Sequence, residues 1–228
     1  MVSPGIFIPI AESVGLIDDL GQWMLRESCQ QAKLWLDEGW DGQISVNVSV
    51  AQIRKVDFER EVEAVLKETN LPACRLCLEL TGSLFAGGSP QKLKRVLEAL
   101  KALGVGLAID DFGTGYSSLS YLRGFPFDKL KIDRAFVHGI ENDAGQRHLL
   151  TGIVEFAHAL DLRTVAEGAE TAGEVALLME IRVDEIQGYY FSRPLAAGEA
   201  MKAAHELNCN RRHPAVPSYE KRRAMAAQ

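Results

Sequence analysis

The 228-residue chain predicts an α/β fold, a modified TIM-type (β/α)8 barrel built on a mostly parallel sheet with crossover helices. Three observations lead there. Short apolar runs rich in β-branched residues alternate with longer stretches whose apolar residues recur at helical spacing. Polar residues fall within those runs or toward their C-terminal ends, the ends that converge on the active face of such a barrel. From Asn47 to Gln187, five intervals cover 140 residues, a mean of 28, close to the roughly 30 residues of one βα unit.

Taken in order, residues 16–38 read as one long helix ahead of the first run. The runs at 44–47, 76–81, 105–111, 130–133, 164–167 and 186–191 read as strands, by length and β-branched content. Residues 58–69, 90–103, 145–160 and 172–179 read as the helices between them. The count is six strands, where a closed barrel needs eight. The helical pattern fades after Ala203, and Arg211-Arg212-His213-Pro214 and Lys221-Arg222-Arg223 form a basic, proline-containing tail. Residues 1–206 are therefore expected to be one domain, and 207–228 a solvated terminus.

The polar residues of the runs are Asn47, Glu79, Asp110, Asp111, Lys131, Asp133, Glu167 and Gln187. One of them alone would be an ordinary strand-end group meeting water. Six strands repeating the pattern indicate a shared functional face. The most informative stretch is Gly106-Leu107-Ala108-Ile109-Asp110-Asp111-Phe112-Gly113-Thr114-Gly115-Tyr116-Ser117-Ser118-Leu119. Two adjacent carboxylates at a strand end supply hard oxygen ligands for divalent cations. The glycines after them let the backbone turn sharply and approach a phosphate. The combination points to metal-assisted phosphate chemistry.

Bulk properties remove several classes. The apolar fraction is 47% and the net charge −6, which supports a sizeable core and argues against a polymeric nucleic-acid ligand. No apolar run is long enough to span a membrane, and the first ten residues lack a basic region ahead of an apolar core. The cytoplasm is the expected location. Cys74-Arg75-Leu76-Cys77 has the spacing of a redox pair, but it leads into a strand and has no second pair for zinc, so its cysteines are expected to be ordinary strand residues. The five histidines show no metal-ligand spacing, and Asp111-Phe112-Gly113 lacks the companion motifs of a kinase.

The chain resembles the EAL-domain family of cyclic-di-GMP phosphodiesterases. Matching segments, in order, are Phe7-Ile8-Pro9-Ile10-Ala11-Glu12, Val46-Asn47-Val48-Ser49, Leu78-Glu79-Leu80-Thr81, the Asp110 to Leu119 stretch quoted above, Lys131-Ile132-Asp133, Ala166-Glu167-Gly168-Ala169-Glu170 and Gln187-Gly188-Tyr189-Tyr190-Phe191-Ser192-Arg193-Pro194-Leu195. The resemblance runs over about residues 2–203. It implies a modified TIM barrel that binds the cyclic dinucleotide at the strand C-termini, with two Mg²⁺ or Mn²⁺ ions activating the water that yields linear pGpG. Under it, Asn47, Glu79, Asp110 and Asp111 correspond to metal ligands. Lys131 corresponds to the lysine near the phosphate and attacking water, and Glu167 to the candidate base or metal-proximal acid. Asp133, Glu170, Gln187, Thr114 and Gly115 correspond to substrate-wall and loop positions. Residues 112–121 correspond to the loop that couples the site to homodimerisation. Upstream GGDEF or PAS domains are common companions of the family.

Two departures matter. The Glu-Ala-Leu signature that names the family is expected on a strand ahead of Phe7, and both missing strands belong to that segment. The literal Glu98-Ala99-Leu100 lies instead on an amphipathic helix striped by Leu93, Val96, Leu97, Leu100 and Leu103. Gly82 stands where the family pattern has a second glutamate that steadies the loop bearing Asp110 and Asp111. The expectation is a phosphodiesterase whose activity in this chain alone is impaired. The alternative is an inactive EAL-like module that binds cyclic-di-GMP or a protein partner.

Overall fold

The computed structural model describes residues 3–85, 89–113 and 122–209. Among the described residues six strands, β1 (Ile44–Val48), β2 (Leu76–Thr81), β3 (Gly106–Phe112), β4 (Lys129–Ile132), β5 (Arg163–Ala166) and β6 (Glu185–Ile186), follow chain order in one sheet. The pairs β1/β2, β4/β5 and β5/β6 are parallel. Parallel neighbours need crossover connections, and the helices between the strands supply them. By internal contacts the chain divides into two compact units, Met1–Ile109 with Gly115–Phe127, and Asp110–Thr114 with Asp128–Gln228.

In the first unit, α2 (Ile17–Asp37) buries Leu25, Cys29 and Ala32, and α4 (Phe58–Thr69) buries Phe58, Val62, Val65, Leu66 and Thr69. Both sets repeat at three- and four-residue spacing, as one apolar face of a helix must. α3 (Val50–Arg54) opens with a reciprocal cap in which Ser49 and Gln52 each satisfy the other's backbone N–H. α5 (Pro90–Leu103) begins at the N-cap Ser89 with proline in its first turn and ends at Gly104, whose φ of 94° suits glycine alone among common residues. Glu98 is an exposed residue of α5 with Lys94 3.9 Å away, while Leu100 is buried in its apolar stripe, so Glu98-Ala99-Leu100 is part of an amphipathic helix. Strand β2 is buried from Leu76 to Leu80 on both faces, as expected of a parallel strand covered by helices.

Helix α1 (Pro4–Ser13) has no counterpart in the sequence reading, because Pro9 lies inside it and proline interrupts helical patterns. Cys74 also departs from expectation. It lies in a 3-10 turn (Ala73–Arg75) and is exposed, while Cys77 is buried in β2. Burial pushes the Cys29 thiol up to about 11. Thiolate is the reactive form, so iodoacetamide at neutral pH is expected to label Cys74 in the native protein before Cys29 or Cys77. Peptide mapping by mass spectrometry reads the order, and labelling of Cys29 at the rate of Cys74 would contradict it.

In the second unit, α6 (Arg134–Val137) follows β4, α7 (Ala144–Ala159) leads into β5, α8 (Ala172–Glu180) into β6, and α9 (Ala197–Cys209) closes the described chain. The start of β5 is pinned by Asp184, whose Oδ2 accepts from Thr164 N at 2.8 Å and Thr164 Oγ1 at 2.9 Å and lies 2.8 Å from His158 Nε2. The run at 186–191 is not a strand beyond Ile186. Gly188 packs so closely on the Ala169 backbone that a Cβ would lie 2.1 Å from Ala169 O. Phe191 N then bonds back to Gly188 O, which turns the chain. Its β-branched and aromatic content mimicked a strand, but the backbone bonds go to a turn. Helix α9 runs past residue 206, and the basic tail lies outside the described residues. Among the described residues no helix is long and apolar enough to cross a membrane.

Candidate active site

In the first unit, the register of β1 and β2 sets Asn47 directly beside Glu79. Registered partners of parallel strands point to the same face. Asn47 is exposed and Glu79 is buried, so one face of this strand pair carries an amide oxygen and a carboxylate.

The second unit carries the charged cluster. Asp110 and Lys131 are both buried. Lys131 Nζ lies 3.1 Å from Asp110 Oδ1 and 2.7 Å from Glu167 Oε1, so one ammonium bridges carboxylates from two other strand ends. Asp110 Oδ1 also accepts from Asp111 N at 3.0 Å. The register Ile132↔Ala166 and the bond from Glu167 N to Ile132 O at 3.0 Å bring Glu167 alongside the end of β4. Asp111 takes a left-handed backbone, φ 54°, which is unusual for a side chain bearing a Cβ. Burial holds the Asp111 carboxyl above its ordinary range, the Asp110 and Asp133 charges push it further, and Lys131 opposes them. Strain and crowded like charge at one strand end are marks of a functional site.

The segments beyond the strands are tied to one another. Asp133 Oδ1 caps α6 by accepting from Ala135 N at 2.8 Å. Arg134 pairs with Glu170 at 3.0 Å, and its stem lies against Gly168, where a Cβ would meet Arg134 Cγ at 2.5 Å. Gly168 has a φ of 73°, so glycine satisfies both the backbone and the close approach. Gln187 is exposed at the end of β6, with its backbone N–H on Ala166 O at 2.8 Å. Thr114 and Gly115 lie outside the described residues, as does most of the 112–121 loop.

In the second unit, Asp110 and Asp111 offer carboxylate oxygens, and oxygen donors suit Mg²⁺ or Mn²⁺. The crowding of negative charge around Asp111 is what a divalent cation would relieve. Among the described residues no three His, Cys, Asp or Glu side chains are set as ligands around one point, and Asp110 is turned onto Lys131.

Sequence reading did not single out Glu174, which is buried. Its two oxygens accept from Gly139 N at 3.1 Å, Glu170 N at 2.8 Å and Thr171 N at 3.2 Å. Thr171 Oγ1 accepts in turn from Glu174 N at 3.0 Å. The signal was present, since Thr171-Ala172-Gly173-Glu174 has the spacing of a capping box. Burial disfavours the Glu174 charge, but the backbone N–H groups of Glu170, Gly139 and Thr171, aided by His138, outweigh it and hold the carboxyl below its ordinary range. A depressed folded value adds stability above the unfolded value, and that stability is lost as pH falls through the folded one. The gap in melting temperature between the native chain and Glu174→Gln is therefore expected to narrow from pH 7 to below the ordinary glutamate value of about 4.3. Thermal melts across that range measure it, and a gap that widens in acid would contradict the assignment.

The fold and the sequence match one family. The EAL domain model matches residues 1–194, and the chain belongs to the EAL-domain family. It is 39% identical over 202 residues to the bifunctional diguanylate cyclase/cyclic di-GMP phosphodiesterase MucR of Pseudomonas aeruginosa, covering 88% of this chain and 29% of MucR. It is 40% identical over 192 residues to the signaling protein YkoW of Bacillus subtilis, covering 84% of this chain and 24% of YkoW. The chain thus spans less than a third of the length of these relatives. Among solved structures, the MucR phosphodiesterase in complex with c-di-GMP superposes with a TM-score of 0.82 at 40% identity, covering 87% of this chain and 81% of that one. The EAL enzyme Bd1971 in its cAMP and cyclic-di-GMP bound form gives 0.82 at 32% identity, covering 88% and 55%. The α/β architecture is that of EAL structures, with the TIM-barrel-like succession of parallel strands and helices.

Proposed function

We propose that this chain hydrolyses cyclic-di-GMP to linear pGpG with divalent-metal assistance. The observation that carries the reading is the buried Lys131 held between Asp110 and Glu167. Names of relatives support the substrate: MucR is a cyclic di-GMP phosphodiesterase in part, and NbdA of Pseudomonas aeruginosa, 39% identical over 196 residues, is a cyclic di-GMP phosphodiesterase.

In the reaction a water oxygen forms a bond to phosphorus, the bond from phosphorus to the sugar 3′ oxygen breaks, and that oxygen takes a proton. Asn47, Glu79, Asp110 and Asp111 are the residues that would hold Mg²⁺ or Mn²⁺. Bound there, the cation supplies Lewis acidity at the phosphate and lowers the pKa of water. Glu167 accepts the proton of the attacking water. Lys131 holds Glu167 and Asp110 in place through its ion pairs and offsets negative charge developing on the phosphoryl oxygens. Asp133, Glu170 and Gln187 shape the wall and loops around the substrate. Thr114 and Gly115 belong to the loop expected to couple the site to a second copy of the chain. A cytoplasmic setting and upstream signalling domains complete the proposal.

One observation favours a second reading, a cyclic-di-GMP receptor with weak or no turnover. Gly82 opens the 3-10 turn Gly82–Phe85 directly after β2, so that position offers no carboxylate to steady the Asp110-Asp111 loop. Turnover with Mg²⁺ or Mn²⁺, followed as pGpG and abolished by EDTA, decides between them. Tight binding without metal and without turnover is the receptor result.

A further inference from the structure

We infer that Glu174 is a positioning residue for the reaction, because its buried carboxylate clamps the segment after β5 to the segment after β4. The proposal rests on the phosphodiesterase reading for its kinetic consequence and on geometry alone for the clamp.

The segment after β5 carries Glu167 and Glu170, and the segment after β4 carries Asp133 and Arg134. Glu174 Oε2 gathers the Glu170 and Thr171 N–H groups, as a capping-box acid does at the start of its own helix. Oε1 does something a helix cap does not require. It reaches across to the Gly139 N–H at 3.1 Å, where the chain turns with φ 80° after α6. Two further contacts run parallel to it: Arg134 to Glu170 at 3.0 Å, and Thr171 Oγ1 to Glu141 Oε1 at 2.6 Å. Both of those are exposed at their polar ends, whereas Glu174 is 2% exposed, and exposed pairs hold geometry weakly. The buried carboxylate is therefore the contact best able to fix how the 167–171 path meets the end of β4, and with it the 2.7 Å approach of Glu167 to Lys131. Small displacements at such a contact reduce rate strongly, since catalytic groups act only in narrow geometry.

Substitution separates the two oxygens. Glu174→Ala removes both links. Glu174→Gln can keep the capping oxygen, as Gln52 does beside Ser49 in this same chain, while placing an amide at one end. The control is Asp184→Asn, which loosens the opposite end of β5 at Thr164 without touching the clamp. Each variant is compared with the native chain by thermal melting, by kcat and KM for cyclic-di-GMP, and by amide hydrogen exchange over residues 167–171. The expected result for Glu174→Ala is a kcat reduced at least about tenfold with KM within about twofold, and exchange over 167–171 accelerated well beyond that in Asp184→Asn of equal melting temperature. Glu174→Gln keeps the cap but sets an amide NH2 against the Gly139 N–H, so its kcat is expected to fall nearly as far as that of Glu174→Ala, and a kcat at the native level in Glu174→Gln overturns the clamp. Equal kcat and equal exchange in Glu174→Ala and Asp184→Asn at matched stability overturn the proposal and leave Glu174 a simple helix cap. If the native chain itself neither turns over nor binds cyclic-di-GMP, the phosphodiesterase reading fails. The exchange comparison then judges the clamp by itself, and unaccelerated exchange in Glu174→Ala overturns it.

Discussion

Glu167→Gln is expected to reduce pGpG formation by at least about a hundredfold while leaving the melting temperature within a few degrees. Glutamine keeps the size and one carbonyl oxygen that can still face Lys131 Nζ, now 2.7 Å from Glu167 Oε1. It cannot accept a proton from water, and general-base groups contribute on the order of 10²–10⁴ in rate. The comparison is made in steady-state assays with Mg²⁺ or Mn²⁺, beside binding of cyclic-di-GMP to the same variant. Retained binding with lost turnover assigns Glu167 to the chemical step. Undiminished turnover would remove Glu167 from the mechanism.

The second large effect is on stability and arises from Lys131. Lys131→Ala takes away the ammonium shared by Asp110 and Glu167, of which Asp110 is 8% exposed. Breaking a buried ion pair by removing one partner leaves a carboxylate without its counter-charge, at a cost of about 3 kcal/mol. Denaturant titration reads that loss. Lys131→Ala combined with Asp110→Asn is expected to recover a good part of it, because the amide needs no cation, although neither variant turns over. A double variant as unstable as the single one would show that packing of the lysine stem, not charge, sets the cost.

These effects also show how much of the site was legible in residues alone. Asp110, Lys131 and Glu167 each lie within or toward the C-terminal end of an apolar run, and parallel strands joined by helices bring such ends to one side. Their distances were not legible. Nothing in the spacing of Asp110, Lys131 and Glu167 says that the lysine would pair with both acids. Nor did composition disclose that 186–191 turns after Ile186, since the Gly188 contact with the Ala169 backbone is made by residues 19 positions apart. Glu174 lay in a recognisable capping pattern, but its bond to Gly139 joins two segments 35 positions apart.

By itself the sequence determined the α/β class, most helices and strands and the family, because period, caps and motif order are local properties of the chain. Only the tertiary structure decided which carboxylates Lys131 bridges, which end of β5 Asp184 pins and which segments Glu174 joins. Those contacts depend on register and on loop paths, and the free energy that selects them comes from groups distant in sequence that meet only once the strands have paired.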